Sequence, residues 1–248
     1  MTQLLDDLDL LLSRAPDDVQ DVYERVANKY ERFRALWVQL AGGTVEQTML
    51  TDLGEILEPG FRVLDAGAGT GALSRRIHTI EPLATLTLLD LSPTMLSHAA
   101  DVPANRIKGS VLDLPFPDHS FDVVVSSWVI ETVPDPIKAV SEYLRVITPG
   151  GYVLYTFCSL PNGWVSRAGT ALLRAAVANR FAGQFLPPEE TPWHDCERSR
   201  RVRSHLGLTS YIVLRKCCPI GPGVLPAPMD GVPSSMLARG KLRHRDDA

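Results

Sequence analysis

Three glycines at alternate positions, placed just after a carboxylate, form the most chemically suggestive pattern in the sequence. They are Gly67, Gly69 and Gly71, and Asp65 stands two residues before the first of them at the end of an apolar run. An amphipathic run from Ala72 to Ile80 follows directly. This order predicts a strand, a tight turn and a helix. Because glycine has no Cβ and tolerates positive φ, such a turn lets a ligand approach the backbone closely.

Two kinds of nucleotide-type ligand use a turn of this type, and the charge of Asp65 distinguishes between them. A dinucleotide places its pyrophosphate at the helix N-terminus, with the fingerprint G-x-G-x-x-G/A that Gly67, Gly69 and Ala72 match loosely. A carboxylate at the strand end would repel a pyrophosphate and attract a cationic ligand. S-adenosylmethionine carries a sulfonium and an ammonium group and no phosphate, so the pattern favours it. A turn that binds nothing is the remaining alternative.

A second carboxylate, Asp90, ends the apolar run Thr85 to Asp90. It lies about 20 residues beyond the glycine turn, where an acid can accept hydrogen bonds from both ribose hydroxyls of a nucleotide. Dehydrogenases use the same contact, so Asp90 indicates a ribose without choosing between the two ligands. Ser92 and Pro93 then predict the start of the next helix, with Ser92 as the N-cap.

These motifs together resemble the class I S-adenosylmethionine-dependent methyltransferases. The family's acidic residue and G-x-G-x-G motif corresponds to Asp65 to Gly71, and D-x-S-P-x-M-L corresponds to Asp90 to Leu96. The later stretches D-L-P-F, S-F-D-V-V and L-R-V-I-T-P-G-G-Y-V-L also match. The Y-x-x-x-A-x-x-Y stretch at 23–30 is similar to the stretch that lies just before the core in the ubiquinone/menaquinone branch of this family. The resemblance is strong over 61–157, moderate over 20–60 and poor elsewhere.

The resemblance implies an α/β fold, with a doubly wound, mostly parallel Rossmann-like sheet, helices on both faces and an N-terminal helical lid. The expected strand order is 3-2-1-4-5, with the last strand or strands beyond the fifth. Three regions are predicted: a helical lid and substrate region at 1–60; an S-adenosylmethionine-binding core at 61–216, with a helical insertion at about 160–206; and a loosely ordered Pro/Gly-rich basic tail at 217–248.

The same resemblance implies which residues hold S-adenosylmethionine. Asp90 would bind the ribose, Met95 would pack near the adenine, and Asp113 would accept a hydrogen bond from the adenine amino group. Tyr23 and Tyr30 would lie in the lid that covers the cofactor, or would pack their helix onto the core, and both could be true. The full predicted set is Tyr23, Tyr30, Asp65, Ala66, Gly67, Gly69, Gly71, Asp90, Leu91, Met95, Asp113, Leu114 and Ser126.

Catalytic groups are less clear than the cofactor motifs. Many relatives carry a histidine where Glu131 stands, and Glu131 could be a general base, a partner for a substrate amine or a helix-capping acid. His194 and Tyr30 are the other candidate bases. Methyl transfer from a sulfonium needs mainly alignment and desolvation, which explains why a clear cofactor site accompanies no clear catalytic constellation. Trp128 could pack in the core or stack on a substrate.

Several segments outside these family motifs also carry structural expectations. Residues 164–183 read as one long helix with many small residues, which could line an acceptor pocket or pack closely. The arginines of 198–203 are expected on a helix ending near Gly207, either attracting an anion or forming a solvated face. One further strand is expected at 210–216. Toward the N-terminus, a helix over 17–40 is expected to end at Gly42-Gly43, before a second helix at 45–57.

Composition limits the class of protein. The 248 residues suit one α/β domain with additions, or at most two small domains. The net charge of −4 gives no reason to expect nucleic acid as a partner. Four cysteines without metal-ligand spacing predict no metal site and reduced thiols in the cytoplasm. No signal peptide is recognised, and no apolar stretch reaches the roughly 18–20 residues that span a bilayer. Peripheral membrane contact and a monomeric or homodimeric state stay open.

The sequence therefore predicts an S-adenosylmethionine-dependent methyltransferase that acts by in-line methyl transfer on a small-molecule acceptor, quinone-like, aromatic or a natural product. A lipid-headgroup methyltransferase is the first alternative. A non-catalytic S-adenosylmethionine-binding protein is the second, and a nicotinamide-dependent oxidoreductase, which Asp65 disfavours, is the third.

Overall fold

The computed structural model describes residues 34–181, 183–187, 198–204 and 207–217. The predictions for Tyr23, Tyr30, His194 and the tail beyond residue 217 lie outside these residues. Within them, no helix is long and apolar enough to cross a membrane. The described residues also contain no cluster of three or more side chains suited to hold a metal ion.

Seven strands form a single sheet in the order β3-β2-β1-β4-β5-β7-β6. The strands are β1 (Arg62–Ala66), β2 (Thr85–Asp90), β3 (Ala104–Lys108), β4 (Phe121–Ser127), β5 (Ile147–Cys158), β6 (Arg198–Arg203) and β7 (Thr209–Arg215). The first five pair in parallel, whereas β7 runs antiparallel to both β5 and β6. This arrangement confirms the doubly wound fold and the strand order 3-2-1-4-5.

Helices cover both faces of the sheet. They are α1 (Gly43–Ile56), α2 (Ala72–Ile80), α3 (Pro93–Ser97), α4 (Pro136–Val146), α5 (Trp164–Gly169) and α6 (Ala171–Phe181). Ser92 caps α3 as predicted, because its hydroxyl accepts from the Met95 amide. Asp135 caps α4 in the same way, through the Lys138 amide. Because such capping residues lie directly before their helices, the start of a helix can be predicted from the local sequence.

Two apolar layers lie on opposite faces of the central strands. Successive side chains of β1 alternate between them: Val63 belongs to the layer that contains Met49 of α1, and Leu64 to the layer that contains Tyr143 of α4. All four side chains are fully buried. Burial on both faces is what a parallel central sheet requires, and it accounts for the continuous apolar runs of the sequence.

The predicted helix at the arginine cluster is wrong. Arg198–Arg203 forms strand β6, which pairs with β7 in register from Arg198↔Arg215 to Arg203↔Ser210. The helical insertion expected at about 160–206 therefore does not extend to its predicted end. Four arginines in six residues hide the alternation that marks a strand, and charged side chains are common on strands at a sheet edge.

The predicted helix ends at Gly42-Gly43 and within 164–183 also differ from the structure. Residues 34–37 are helical and continue through a π-helical turn, Val38–Gly42, straight into α1. Gly42 and Gly43 both have right-handed helical backbone angles, so neither terminates the helix. The expected single helix over 164–183 is interrupted at Thr170, which is the C-cap of α5.

A buried carboxylate on α4 fixes the loop that follows β3. Glu142 accepts hydrogen bonds from Arg145 (2.8 Å), from the Leu114 amide (3.0 Å) and from Lys138 (3.2 Å). Arg145 in turn donates to the carbonyl oxygens of Leu114 and Phe116. The Arg145 guanidinium is the main reason that the pKa of Glu142 lies at about 2, despite its burial.

Replacing Glu142 by Gln should lower the free energy of unfolding by about 1–3 kcal/mol at pH 7, because Arg145 and the Leu114 amide lose a charged acceptor. The folded-state pKa of Glu142 lies below its ordinary value of 4.5. Its stabilisation is therefore complete above that value and is lost as the pH falls toward 2. Urea unfolding at pH 7 and pH 3 measures the difference. Glu55→Gln on the exposed side of α1 is the control, and an equal loss at both pH values would contradict the assignment.

Candidate active site

The glycine turn between β1 and α2 needs glycine for two separate reasons. Gly67, Gly69 and Gly71 all have positive φ, at 79°, 54° and 79°. A Cβ atom on Gly67 would lie 2.4 Å from a methyl carbon of Val129, and one on Gly71 would lie 2.6 Å from the Ala99 Cβ. Any side chain at 67 or 71 would therefore be strained in its backbone and in collision with its surroundings.

The backbone amides of this turn are already engaged within the protein. The Gly67 and Ala68 amides both donate to the Leu89 carbonyl, at 2.7 and 2.9 Å. The Gly69 amide donates to the Asp90 carboxylate at 2.8 Å, and the Gly71 amide donates to the Ala68 carbonyl. A pyrophosphate site needs amides that point at the ligand. The geometry thus disfavours a dinucleotide on grounds that the sequence did not reveal.

Asp90 connects the two turns that border the site. One carboxylate oxygen accepts from the Gly69 amide and the other from the Ser92 amide at 2.9 Å. The Leu91 amide is a further backbone donor to this carboxylate, and an ionised carboxylate has about four lone-pair sites in all, so it can still accept from a ligand hydroxyl. Burial raises the pKa of Asp90, while its bonds to Ser92 and Gly69 oppose that shift.

A cleft of about 750 Å³ opens at the C-terminal edge of the sheet, beside β1, β2 and β4. Ligands of open α/β sheets bind at this edge. Its lining includes five of the predicted cofactor residues, and Asp90 is the only charged side chain among the described residues that line it. The lining consists of Gly67, Gly69, Asp90, Leu91, Ser92, Met95, Gly109, Ser110, Val111, Leu112, Ser127, Trp128, Val129, Thr132, Val133 and Pro134.

Other predicted cofactor residues lie behind the wall of the cleft. Asp65 is buried and accepts a hydrogen bond from the Ser74 hydroxyl; burial is the main cause that raises its pKa to about 7. Ser126 donates to the Ala66 carbonyl at 2.9 Å. These residues are placed to support the turn rather than to form the surface of the cleft.

The remaining predicted cofactor residues occupy three different positions. Gly71 is the N-cap of α2, and the Leu114 amide is bonded to Glu142. Asp113 is exposed, and its side chain is not part of the cleft lining, whereas the neighbouring Val111 and Leu112 are. Contact between Asp113 and an adenine stays a prediction.

A second cavity, of about 470 Å³, adjoins the cleft. Trp128 and Thr132 line both spaces and so form their common wall. The other lining residues come from distant parts of the chain, which is why sequence reasoning missed most of them: Arg34, Trp37, Glu131, Cys158, Val177, Gly183, Gln184 and Phe185.

Three aromatic rings form one side of this cavity. Trp37 makes edge-to-face contacts with Trp128 and with Phe185, with ring centroids 6.2 Å apart in both pairs. The indole nitrogens of Trp37 and Trp128 are buried and have no hydrogen-bond partner among the described residues. The cavity thus combines an apolar surface with polar atoms that are not yet satisfied.

Glu131 is the acidic residue of the second cavity. It lies in the short 3₁₀ turn Ile130–Thr132, and one of its oxygens accepts from the Cys158 amide at 3.1 Å. The other oxygen is buried without a hydrogen-bond partner among the described residues. Burial raises the pKa of Glu131 to about 7. Its bonded oxygen caps the end of β5 and not a helix, which disfavours the capping alternative.

Gly67→Ala should lower the free energy of unfolding by at least about 2 kcal/mol, since it adds both backbone strain and a collision with Val129. Gly60→Ala isolates the strain, because Gly60 has φ of 86° and open space around it, and should cost about 1 kcal/mol. Gly54→Ala, in open space on α1, should stabilise by about 0.5–1 kcal/mol. Urea unfolding gives all three values, and equal losses for Gly67→Ala and Gly60→Ala would argue against the collision.

Known proteins with similar sequences are methyltransferases, the class that the sequence motifs indicate. A family model described as a methyltransferase domain matches residues 64–155. A demethylmenaquinone methyltransferase of Clavibacter sepedonicus is 30% identical, over 88% of this chain and 97% of that protein. A demethylmenaquinone methyltransferase of Renibacterium salmoninarum is 31% identical, over 74% of this chain and 81% of that protein.

A solved structure agrees at the level of fold. An S-adenosylmethionine-dependent methyltransferase of Thermotoga maritima aligns with a TM-score of 0.57 and 21% identity, over 80% of this chain and 100% of that one. Together with the near-complete match to the Clavibacter protein, the glycine turn and the carboxylate at the end of β2 fix the family. The chain belongs to the class I S-adenosylmethionine-dependent methyltransferases, in the ubiquinone/menaquinone methyltransferase-like branch.

Proposed function

We propose that this methyltransferase acts on a small, flat, largely apolar acceptor that binds in the aromatic cavity next to the cofactor cleft. The observation that carries the proposal is the shared wall: Trp128 and Thr132 border both spaces, so two ligands would meet there. A donor and an acceptor held side by side satisfy the main requirement of in-line transfer, which is alignment.

The cleft beside Asp90 has the features that S-adenosylmethionine requires. Among the described residues its one charged lining group is a carboxylate, suited to ribose hydroxyls. The amides of Gly67, Ala68 and Gly69 are bonded to Leu89 and Asp90 instead of facing the cleft as a phosphate cradle. Met95 and Leu91 supply apolar surface for the adenine. Tyr23 and Tyr30 remain predicted lid residues.

The cofactor supplies a methyl group on a positively charged sulfur, which leaves as a neutral thioether. The work of the protein is then to orient the acceptor, exclude water and handle a proton where the acceptor has one to lose. Glu131 is the acidic group of the cavity, and its second oxygen has no hydrogen-bond partner among the described residues. We assign Glu131 to accept that proton; His194 and Tyr30 stay alternative bases.

The character of the cavity favours a quinone-like or other aromatic acceptor over a lipid headgroup. Three of its ten described lining residues are aromatic, namely Trp37, Trp128 and Phe185. Arg201 and Arg203, which belong to the cluster that suggested an anionic headgroup, are not among the described residues that line either space. The names of the two demethylmenaquinone methyltransferases point in the same direction. The expected cytoplasmic location and the monomeric or homodimeric state stay predictions.

Asp90→Asn should weaken the binding of S-adenosylhomocysteine at least about tenfold, because hydrogen bonds to a charged group contribute about 1.5–3 kcal/mol. Calorimetric titration measures the loss. Asp118→Asn is the matched control, since Asp118 is an exposed carboxylate paired with Arg145 outside the cleft lining. Thermal unfolding of both variants shows whether the fold is intact, and unchanged affinity in a folded Asp90→Asn protein would exclude the proposed ribose contact.

Methyl transfer to an acceptor that must lose a proton should increase as the pH rises through about 7, the pKa of Glu131, because the carboxylate is the active form. Glu131→Gln should lower kcat/KM by about 10²–10⁴-fold and remove this step from the pH profile. Labelled S-adenosylmethionine, tested against a demethylnaphthoquinol, a catechol and phosphoethanolamine, provides the assay.

The same panel separates the alternative functions. Transfer to phosphoethanolamine alone would support a lipid-headgroup enzyme. Tight S-adenosylhomocysteine binding without transfer to any acceptor would support a non-catalytic binding protein. Binding of NAD in place of S-adenosylhomocysteine would contradict the cofactor assignment.

A further inference from the structure

Trp128 occupies an unusual position in the backbone. It follows β4 directly and has φ of 62°, in the left-handed region that residues other than glycine rarely adopt. Its amide donates to the Thr156 carbonyl at 3.0 Å, which fixes the backbone at this point. Strain of this kind persists only where the surroundings impose it, and it is concentrated at functional sites. Here it holds an indole at the boundary of two cavities.

Gly42 lies against the six-membered ring of that indole. A Cβ atom built on Gly42 would be 2.8 Å from Cζ2 and 3.1 Å from Cη2 of Trp128. The backbone of Gly42 has φ of −88° and ψ of −15°, angles that any residue can adopt. The backbone conformation therefore does not require glycine at position 42. Glycine is required because the indole of Trp128 occupies the space that a Cβ atom would need.

The π-helical turn brings Gly42 to this contact. Val38–Gly42 is wider than an α-helical turn, and such turns are frequent at functional sites. The Thr209 hydroxyl of β7 donates to the Ala41 carbonyl at 2.9 Å and so ties the turn to the sheet. At the start of the turn, Trp37 meets the Trp128 ring edge to face. The indole thus lies against both Gly42 and Trp37.

We propose that Gly42 is a positioning residue for Trp128, and that this pair sets the size of the acceptor that the aromatic cavity admits. The proposal rests on the proposed function, since it takes the aromatic cavity to be the acceptor site. A larger residue at 42 pushes the indole away from the π turn and toward the two spaces that it separates. Donor and acceptor binding then change together, through a residue that touches neither ligand.

The first test compares Gly42→Ala with Gly54→Ala, Trp128→Phe and the double variant Gly42→Ala/Trp128→Phe. Both glycines lie in helical backbone, so alanine alone should favour folding at each. Gly54→Ala should raise the urea midpoint, whereas Gly42→Ala should lower it. Phenylalanine lacks the Cζ2 and Cη2 atoms of the indole, so in the Trp128→Phe background Gly42→Ala should no longer lower the midpoint.

The second test follows the indole directly by fluorine NMR of protein labelled with 5-fluorotryptophan. Trp128→Phe identifies the Trp128 signal, and S-adenosylhomocysteine should shift it in the wild type. Gly42→Ala should move the signals of Trp128 and Trp37 but not that of the exposed Trp164. It should also weaken the binding of S-adenosylhomocysteine and of menadione, a naphthoquinone probe, by about tenfold, and the double variant should recover most of that loss.

The outcomes separate this proposal from the one on which it rests. A wild type that binds neither S-adenosylhomocysteine nor menadione would contradict the proposed function. Normal binding by the wild type, with a Trp128 signal and both affinities unchanged in Gly42→Ala, would overturn the positioning role of Gly42. Loss of stability in Gly42→Ala without any change at Trp128 would reduce Gly42 to a packing residue and overturn it as well.

Discussion

The carboxylate of Asp90 is the interaction on which the site depends. It joins the amide of Gly69, in the turn after β1, to the amide of Ser92, at the start of α3, and so fixes two loops that lie far apart in sequence. The register of β1 and β2 makes this possible, because Ala66 pairs with Leu89 and the following residues of both strands emerge at the same level. The bonds of Gly67 and Ala68 to the Leu89 carbonyl complete the connection. Both rims of the cleft are therefore set by contacts within the protein, before any ligand arrives.

Much of the sheet and of the cleft beside Asp90 could be predicted because the signals are local. The buried run of β4, the cap at Ser92 and the glycine turn each specify their structure within a few residues. The second cavity could not be predicted, because Trp37, Cys158 and Phe185 line it together only in the folded protein. More than a hundred residues of chain separate Trp37 from the other two. The arginine-rich pattern of β6 does not predict a strand, because the pairing with β7 that forms it lies outside the local sequence. The two glycines at 42 and 43 predict the end of a helix when only residue type is considered. In the structure both have helical backbone angles, which result from packing.

Two buried carboxyl groups show that the region around the site is not optimised for stability. Burial raises the pKa of both Asp65 and Glu131 to about 7, from ordinary values of 3.8 and 4.5. In the folded state these groups keep protons that the unfolded chain releases, so folding becomes less favourable as the pH rises from about 4 through 7. The cost of burying Asp65 is offset in part by its hydrogen bond from the Ser74 hydroxyl, and the cost of burying Glu131 by its hydrogen bond from the Cys158 amide. Apolar residues of similar size would avoid this cost. Acidic groups at such positions are typical of functional sites.

The π turn at Val38–Gly42 also has a consequence for how the length of this segment can vary. A π turn contains one more residue per turn than the α-helix around it, and it is kept here by the contact of Ala41 with Thr209. Deleting one residue within the turn would let it become an ordinary α-helical turn, because the π turn accommodates one extra residue in an otherwise α-helical segment. The helix before the deletion would then keep nearly the same orientation relative to α1, and Trp37 would stay in the wall of the aromatic cavity. A deletion that the turn did not absorb would instead rotate everything before it by about 100° and remove Trp37 from that wall. The π turn therefore makes this segment tolerant to the loss of one residue.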